Sequence, residues 1–591
     1  MKKIFLKILG LVVWIGLFIY SMRYIGMQWE YEGLVSRGVI VGISVRSATH
    51  IFYSIATLAA SAFIATTILA FLVLLFRRNR SSAQNAGLVF SILSIAIIAG
   101  AFYWNRRIIA MNQLPVIYRH YDSTGRLLEP EQHLKNLRKV NVILISIDTL
   151  NPKHLGAYGY DRNTSPTIDS LARQGVIFQN AFSQSPKTSP SHMSMFTSLY
   201  PAVHKIRNWD KSEGGYSLDH RILTLPEILK HAGYRTVAVT GGGNVQSFIG
   251  FGDGFDEYDN DEKVWSRAFE WLDQNHLPAQ ARLPKASGGQ AGDSTFFMFL
   301  HTFKVHSPYL PPPPYNTMFG EKYDGKIVDS EQGLHQLYKT NYKPDDPFPG
   351  SHDLFWSVVD KNDPRDVQRL IDQYDGCIRF MNDHMLGVLL NRLKKYDLDK
   401  NTLLIFTADH GEEFLQHGDF LHKELYDEHI HVPLIIKFPD GDALNQRSIR
   451  QQVAMIDLMP TILEYLELPI PEMVQGTSLF SIMAGKDLNL PVFSERIALG
   501  DVPDYKKSIR TLDWKYIFWP TQKVEELYNL PPDAGEKVNV AKTSPEVAAD
   551  FNRQLIEWMN DNTQRGQSIR TITQEFDKET IEKLRSLGYI R

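Results

Sequence analysis

Cysteine is almost missing from this sequence: Cys377 is the single one in 591 residues. No intramolecular disulfide and no multi-thiolate metal site can therefore form. Cys377 sits in the helix-like run IDQYDGCIRFMNDHMLGVLLNRL and reads as a small buried hydrophobe, the usual state of a free thiol. An excess of one charge sign is missing too. Lysine plus arginine number 63 against 66 aspartates plus glutamates, a formal net charge of −3. That balance argues against a nucleic-acid partner. Internal repeats and low-complexity tracts are also absent. The length exceeds that of one ordinary domain, so the chain is expected to divide.

What the chain does have is long apolar runs, and they fall in its first hundred residues. Positions 4 to 22 are apolar apart from Lys7, which can snorkel to an interface from near the run's end. Positions 51 to 76 and 86 to 104 carry no charge. Roughly 20 apolar residues span a bilayer, and three such runs in succession read as three transmembrane helices, not core helices. No small-residue cleavage site follows the first run, so it reads as an uncleaved anchor instead of a signal peptide. Lys2, Lys3 and the RRNR loop at 77 to 80 are expected in the cytoplasm, although Arg106 and Arg107 pull weakly the other way. The expectation is a multi-pass cell-membrane protein. A membrane anchor (1–110) and a linker (111–138) precede a catalytic domain (139–488) and a smaller C-terminal subdomain (489–591). Everything after the third span is expected outside the cytoplasm, in the periplasm of a Gram-negative cell.

From about residue 139 the texture is that of an α/β protein. VNVILISID (140–148), RTVAVTGGG (235–243), STFFMFLH (294–301) and TLLIFTADHG (402–411) are nearly continuous apolar runs ending in polar residues. Such runs suit strands buried on both faces of a mostly parallel sheet. SPTIDSLARQG (165–175) between them has a serine cap, a first-turn proline and a closing glycine. Alternation of this kind predicts a doubly wound sheet whose ligand site lies beyond the strands' carboxyl ends. Asp148, Asp409 and His410 end two of those strands and are expected on one edge. The Pro-, Gly- and Asp-rich stretch from 315 to 355 reads as a surface insertion near the site. After about 490, short antiparallel strands and then a helix in SPEVAADFNRQLIEWMNDN make an α+β subdomain.

The stretch PKTSPSHMSMFTSLYP (186–201) carries the chemistry. Ser189-Pro190 predicts a helix start, with Thr188 just ahead of an N-terminus that favours anions. Read alone, Thr188 is a polar residue beside a cap. Asp409-His410, however, is a hard and borderline ligand pair suited to a divalent cation. With Asp148 and the Thr188 oxygen it makes three oxygens and one nitrogen. A cation there would lower the pKa of the threonine hydroxyl and neutralise charge on a substrate. The plain alternatives are strand-end capping for the two aspartates and a turn role for His410.

Residues 142–201, FLHTFKVHSPYLPP, TADHGEEFLQHG, LYDEHIHVPLII and ELYNLPPDAGEKVNVA together resemble a sulfatase-type catalytic domain of the alkaline phosphatase superfamily, over about 140–545. The resemblance implies that fold and a metal-dependent hydrolase or transferase of sulfuric or phosphoric esters. Carried over by position, Asp148, Asp409 and His410 match metal ligands and Thr188 the nucleophile. His306 matches a histidine at the substrate or leaving group. His417, His422 and Lys423 compete for the place of a lysine that touches the transferred group, and Asn244 in TGGGNV is placed toward the substrate. His301 is read as packing at a strand end.

The family signature is Cys or Ser, any residue, Pro, any residue, Arg; here it reads Thr188-Ser189-Pro190-Ser191-His192. Threonine cannot be oxidised to the family's formylglycine aldehyde, so none is expected. His192 stands in place of the arginine beside the nucleophile, which weakens bidentate recognition of a dianion. Thr149 stands for a second aspartate and His410 for a frequent asparagine. This set resembles the threonine-nucleophile branch, which includes phosphoethanolamine transferases and lipoteichoic acid synthases.

The expected function is a membrane-anchored, metal-dependent hydrolase or transferase. Phosphoric esters are expected ahead of sulfuric ones, with Thr188 attacking and His192, His306 and His422 assisting. One divalent metal is expected, manganese or zinc favoured, with calcium and magnesium left open. The expected partners are the lipid bilayer and an anionic ester on a glycan or lipid. The alternatives are a true sulfuric ester hydrolase without formylglycine and a catalytically silent protein binding an anionic glycan or lipid. A transporter is disfavoured because the spans carry no charge after Lys7.

Overall fold

The computed structural model describes residues 138–574, apart from 209–214, 261–264, 277–294, 321–322, 344–349 and 497–504. The three apolar runs and the linker up to residue 137 lie outside the described residues. The described part belongs to one compact unit, Ile117–Arg591.

The strands in chain order begin with β1 (Asn141–Ile147), β2 (Val176–Phe182), β3 (Gly215–Ser217), β4 (Arg235–Val239), β5 (Glu257–Asp259) and β6 (Phe296–Thr302). There follow β7 (Thr402–Ala408), β8 (Glu413–Phe414), β9 (Phe420–Leu421), β10 (His431–Lys437) and β11 (Arg447–Ala454). The last five are β12 (Val492–Arg496), β13 (Lys506–Arg510), β14 (Trp514–Trp519), β15 (Val524–Asn529) and β16 (Ile572–Gln574).

Eight of them form the central sheet, in the order β11-β2-β10-β7-β1-β6-β4-β5. β1, β6 and β7 are buried along their whole length, as their unbroken apolar runs require. The sheet is mixed. Only β10 runs antiparallel to its neighbours, β2 and β7; the remaining pairs are parallel. An apolar run such as HVPLIIK carries no sign of strand direction, so one reversed strand in a mostly parallel sheet was not legible.

Register does the positioning. β1 and β7 pair so that Ile147 faces Ala408. Asp148 and Asp409, each one residue further on, therefore leave the sheet side by side. On the other flank of β1, Ser146 is the register partner of His301 and Ile147 of Thr302 in β6. The expected clustering on one edge is what parallel pairing produces.

The helix after β2 spans Thr188–Thr197, and all ten of its residues are buried. It starts two residues earlier than the Ser189-Pro190 signal implies, with Lys187 in the cap position at φ −137° and ψ 140° and no side-chain cap bond. Ser189 is engaged elsewhere: its N–H donates to Asn208 Oδ1 (2.9 Å) and its hydroxyl to the Asn244 carbonyl (2.6 Å).

In the stretch after 489, β12-β13-β14-β15 make an antiparallel sheet. The helix Pro545–Gly566 packs on it through Ala548, Phe551 and Leu555. This part is tied into the rest of the molecule. The Ser494 hydroxyl donates to the Ser183 carbonyl (2.6 Å) and the Glu495 N–H to the Gln184 carbonyl (2.8 Å), just behind the segment leading to Thr188. β16 also pairs antiparallel with β3. The 315–355 stretch contains the helices Glu331–Asn341 and Ser351–Trp356. Trp356 Nε1 donates to Ser307 Oγ (2.8 Å), beside His306.

Candidate active site

Thr188 lies at the centre. Its Oγ1 is 3.4 Å from Asp148 Oδ2 and 3.4 Å from His410 Nε2. One ligand atom each from Asp148, Asp409 and His410 lies within 4.8 Å of the others, and all three residues are fully enclosed. Asp409 Oδ1 accepts the N–H groups of Thr149 (3.2 Å) and His410 (2.9 Å), which fixes that carboxylate's plane. The sequence-derived quartet is thus one cluster, although its members come from three separated segments.

The electrostatics of this cluster call for a cation. Burial, opposed by the Thr188 hydrogen bond, raises the Asp148 carboxyl well above the carboxylate range. Burial and then the facing charge of Asp148 do the same to Asp409. Burial lowers the His410 imidazole well below its ordinary value. Asp148 Oδ1 and Asp409 Oδ2 have no hydrogen-bond partner among the described residues. Two buried carboxylates with inward-facing unbonded oxygens and a neutral imidazole fit a divalent metal. Asp148, Asp409, His410 and the Thr188 hydroxyl would hold it.

A row of histidines extends from this set. The His422 ring is 4.3 Å from that of His410, and the His306 ring is 5.3 Å from that of His422. His422 Nδ1 is 3.1 Å from Glu412 Oε1. With Glu412 accepting, the His422 proton is held at Nδ1. Burial lowers the His306 imidazole to about 3 and holds His422 well below its ordinary value. The Asn244 carbonyl anchors Ser189 and so places its loop against the nucleophile's helix.

Three expectations change. His192 does not replace a substrate-facing arginine: Nδ1 is 2.9 Å from the Thr188 carbonyl and Nε2 is 2.9 Å from Ser146 Oγ, so both nitrogens are engaged. It braces the first turn of the helix against β1. His417 is not brought to the site. Its ring stacks on Tyr426 at 3.6 Å and its Nε2 is 3.2 Å from Glu428 Oε2. Lys423 is half exposed and pairs with Asp419 at 2.7 Å. The β8–β9 hairpin explains both outcomes, because it carries His417 off to Tyr426 and Glu428 and leaves Lys423 half exposed while His422 stays at the site.

Three residues were missed, and a fourth, Thr149, was read only as standing for a second aspartate. His301, read as packing, has Nε2 3.3 Å from Asp148 Oδ2. Glu412 is fully buried and braces His422. Thr149 has a buried hydroxyl without a hydrogen-bond partner among the described residues. Lys187 directly precedes the nucleophile and is partly buried. The sequence signal was available only for Lys187 and Glu412, which adjoin the motifs.

A buried hydroxyl against two carboxylates and an imidazole, at the strand ends of an α/β sheet, fits ester hydrolysis with a divalent metal at those ligands. The chain belongs to the sulfatase family: residues 140–468, more than half its length, match that family. Residues 415–564 match the C-terminal region of N-sulphoglucosamine sulphohydrolase. It is similar to arylsulfatase K of Canis lupus familiaris, 25% identical over 461 residues, covering 70% of this chain and 81% of that protein. Its fold is similar to that of the phosphonate monoester hydrolase of Agrobacterium radiobacter (TM-score 0.54, 20% identity, 72% of this chain and 96% of that one). It is also similar to a protein solved with its substrate D-glucosamine-2-N,6-O-disulfate (TM-score 0.55, 17% identity, 72% and 98%). The matched family and the curated relative are named for sulfuric esters, which reverses the order of preference drawn from the threonine.

Proposed function

We propose that this protein is a metal-dependent hydrolase of sulfuric esters carried by an anionic glycan, with the unmodified hydroxyl of Thr188 as the attacking group. The observation that carries it is the position of Thr188 Oγ1 between Asp148 Oδ2 and His410 Nε2, beside carboxylate oxygens with no hydrogen-bond partner among the described residues. The glycan rests on the glucosamine disulfate held by a protein of the same fold. Three apolar runs ahead of residue 110 support a membrane anchor with the catalytic domain outside the cytoplasm.

A divalent cation bound by the quartet supplies charge neutralisation and a lowered hydroxyl pKa. The protein's own groups do the rest. Asp148 Oδ2 orients the hydroxyl. The Thr188 oxygen bonds to sulfur as the ester S–O bond breaks, and the departing oxygen takes up the proton that the hydroxyl gave up. With Glu412 accepting at Nδ1, His422 Nε2 is left to accept a proton from the water that attacks the threonine sulfate. Sulfate leaves and the hydroxyl is restored. His306 lines the leaving-group side of this row.

A second reading, phosphoric ester transfer by the same oxygen, is favoured by one observation: threonine cannot become the aldehyde that sulfate hydrolysis uses elsewhere in the family. Turnover of 4-nitrophenyl sulfate and of 4-nitrophenyl phosphate with manganese or zinc, followed by mass spectrometry of the 188 peptide, separates the two. Sulfate turnover with a transient +SO3 adduct, both lost in Thr188→Ala, is expected. Sulfate turnover that survives Thr188→Ala sinks the mechanism, and a phosphoryl adduct without sulfate turnover selects the second reading.

A further inference from the structure

The charge balance of the site is incomplete without one more cation. Two aspartates match a divalent metal, so the negative charge of a bound ester has no counter-ion among the quartet. The nearby basic side chains are mostly spoken for: Lys423 pairs with Asp419 (2.7 Å) and Arg496 with Glu424 (2.7 Å). Lys187 differs. It directly precedes Thr188, it is partly buried, and it makes no side-chain hydrogen bond or ion pair among the described residues. Its charge acts on Asp148, His306, His410, Glu412 and His422, and of these Asp148 Oδ2 and His410 Nε2 lie 3.4 Å from the Thr188 hydroxyl.

Keeping an ammonium partly buried and unpaired is costly, and the cost is recovered when an anion enters. As the cap residue of the helix Thr188–Thr197 it also stands where the backbone N–H groups favour negative charge. We infer that Lys187 is a substrate-contacting residue whose ammonium holds the peripheral oxygens of the ester group while Thr188 attacks. This rests on the reading of Thr188 as the attacking group. It adds that the protein recognises the anion with a lysine immediately ahead of the nucleophile.

The test uses the full chain as wild type, Lys187→Met, Lys187→Gln and Lys187→Arg, loaded with manganese. Inorganic sulfate and phosphate binding is measured by calorimetry, and kcat and KM with 4-nitrophenyl sulfate. Lys187→Met is expected to weaken sulfate binding at least ~10-fold and to lower kcat/KM about 100-fold, the scale of losing one charge-assisted contact to a reacting group. Manganese affinity should stay within about threefold, because the metal's own ligands are intact. Lys187→Arg should recover most of both losses, and Lys187→Gln, which keeps a polar head, should repeat them should the methionine variant misfold. Sulfate affinity and kcat/KM in Lys187→Met within about threefold of wild type would overturn the inference, since a charge-assisted bond is worth more than that. So would a wild type that binds neither anion. Failure of the Thr188 reading looks different: turnover survives Thr188→Ala, while the sulfate-binding comparison at Lys187 keeps its meaning.

Discussion

Thr149 has φ 60°, a left-handed backbone that a β-branched residue adopts only under constraint. That strained turn aims its N–H at Asp409 Oδ1, so the carboxylate is oriented by the backbone before any metal arrives. At this scale the cluster makes a two-sided prediction. In Asp409→Asn, one of two facing buried carboxylates is neutralised, so the chelator-treated protein should melt higher than the chelator-treated wild type. The same variant should lose the stabilisation that metal gives, about 2.7 kcal/mol for a cation at a hundred times its Kd. Calorimetric melting with and without chelator reads both, and a metal-induced rise in Asp409→Asn equal to that of wild type would remove the site as assigned. Thr188→Ala should cost at least about a thousandfold in kcat with a folded protein, since nothing else in the cluster supplies the attacking oxygen; near-wild-type kcat would contradict the proposed role.

Elements hold these residues where they are. Asp148, Asp409 and His410 were legible because each ends a run that reads as a buried strand, and parallel pairing then forces them together. His301 was not legible, because its role depends on which strand adjoins β1; Glu412 adjoins a motif, but its contact with His422 depends on how the chain folds back after β7. His417 and Lys423 misled for the converse reason: closeness to a motif says nothing about which way a side chain turns in the loop between β8 and β9 or just after β9. The helix Leu458–Tyr465 offers a separate test. Asp457, at its start, accepts the N–H groups of Ala454 (2.9 Å) and Thr477 (2.8 Å). Burial nevertheless raises its carboxyl to about 7. The folded protein then keeps a proton that the unfolded chain has released, so stability should fall as pH rises from about 4 to about 7. Urea midpoints across that range should flatten in Asp457→Asn, by at most about 1.4 kcal/mol per pH unit. An unchanged slope would show that the carboxyl is not raised.

On the scale of the whole molecule, the C-terminal sheet is part of the catalytic body. β12 bonds the backbone at Ser183 and Gln184, and a buried network joins Asp427 to Arg510 (3.0 Å) and Lys515 (2.8 Å). Asp427→Ala should cost about 3–5 kcal/mol, because it leaves two buried cations short of a partner. A chain cut at residue 489 should fail to fold cooperatively, whereas one beginning at residue 117 should melt as a single unit; two separate transitions in the latter would contradict the one-unit architecture.

The bond from the Thr149 N–H to Asp409 joins positions 260 residues apart. During synthesis, then, no fragment ending before β7 can own the metal cluster, however well its amino-terminal half has folded. Cation uptake becomes a late event in the protein's birth, and a chain that tightly holds its ion has already completed the pairing of β1 with β7. In a cell that meters free manganese or zinc, unfinished copies would leave that supply untouched.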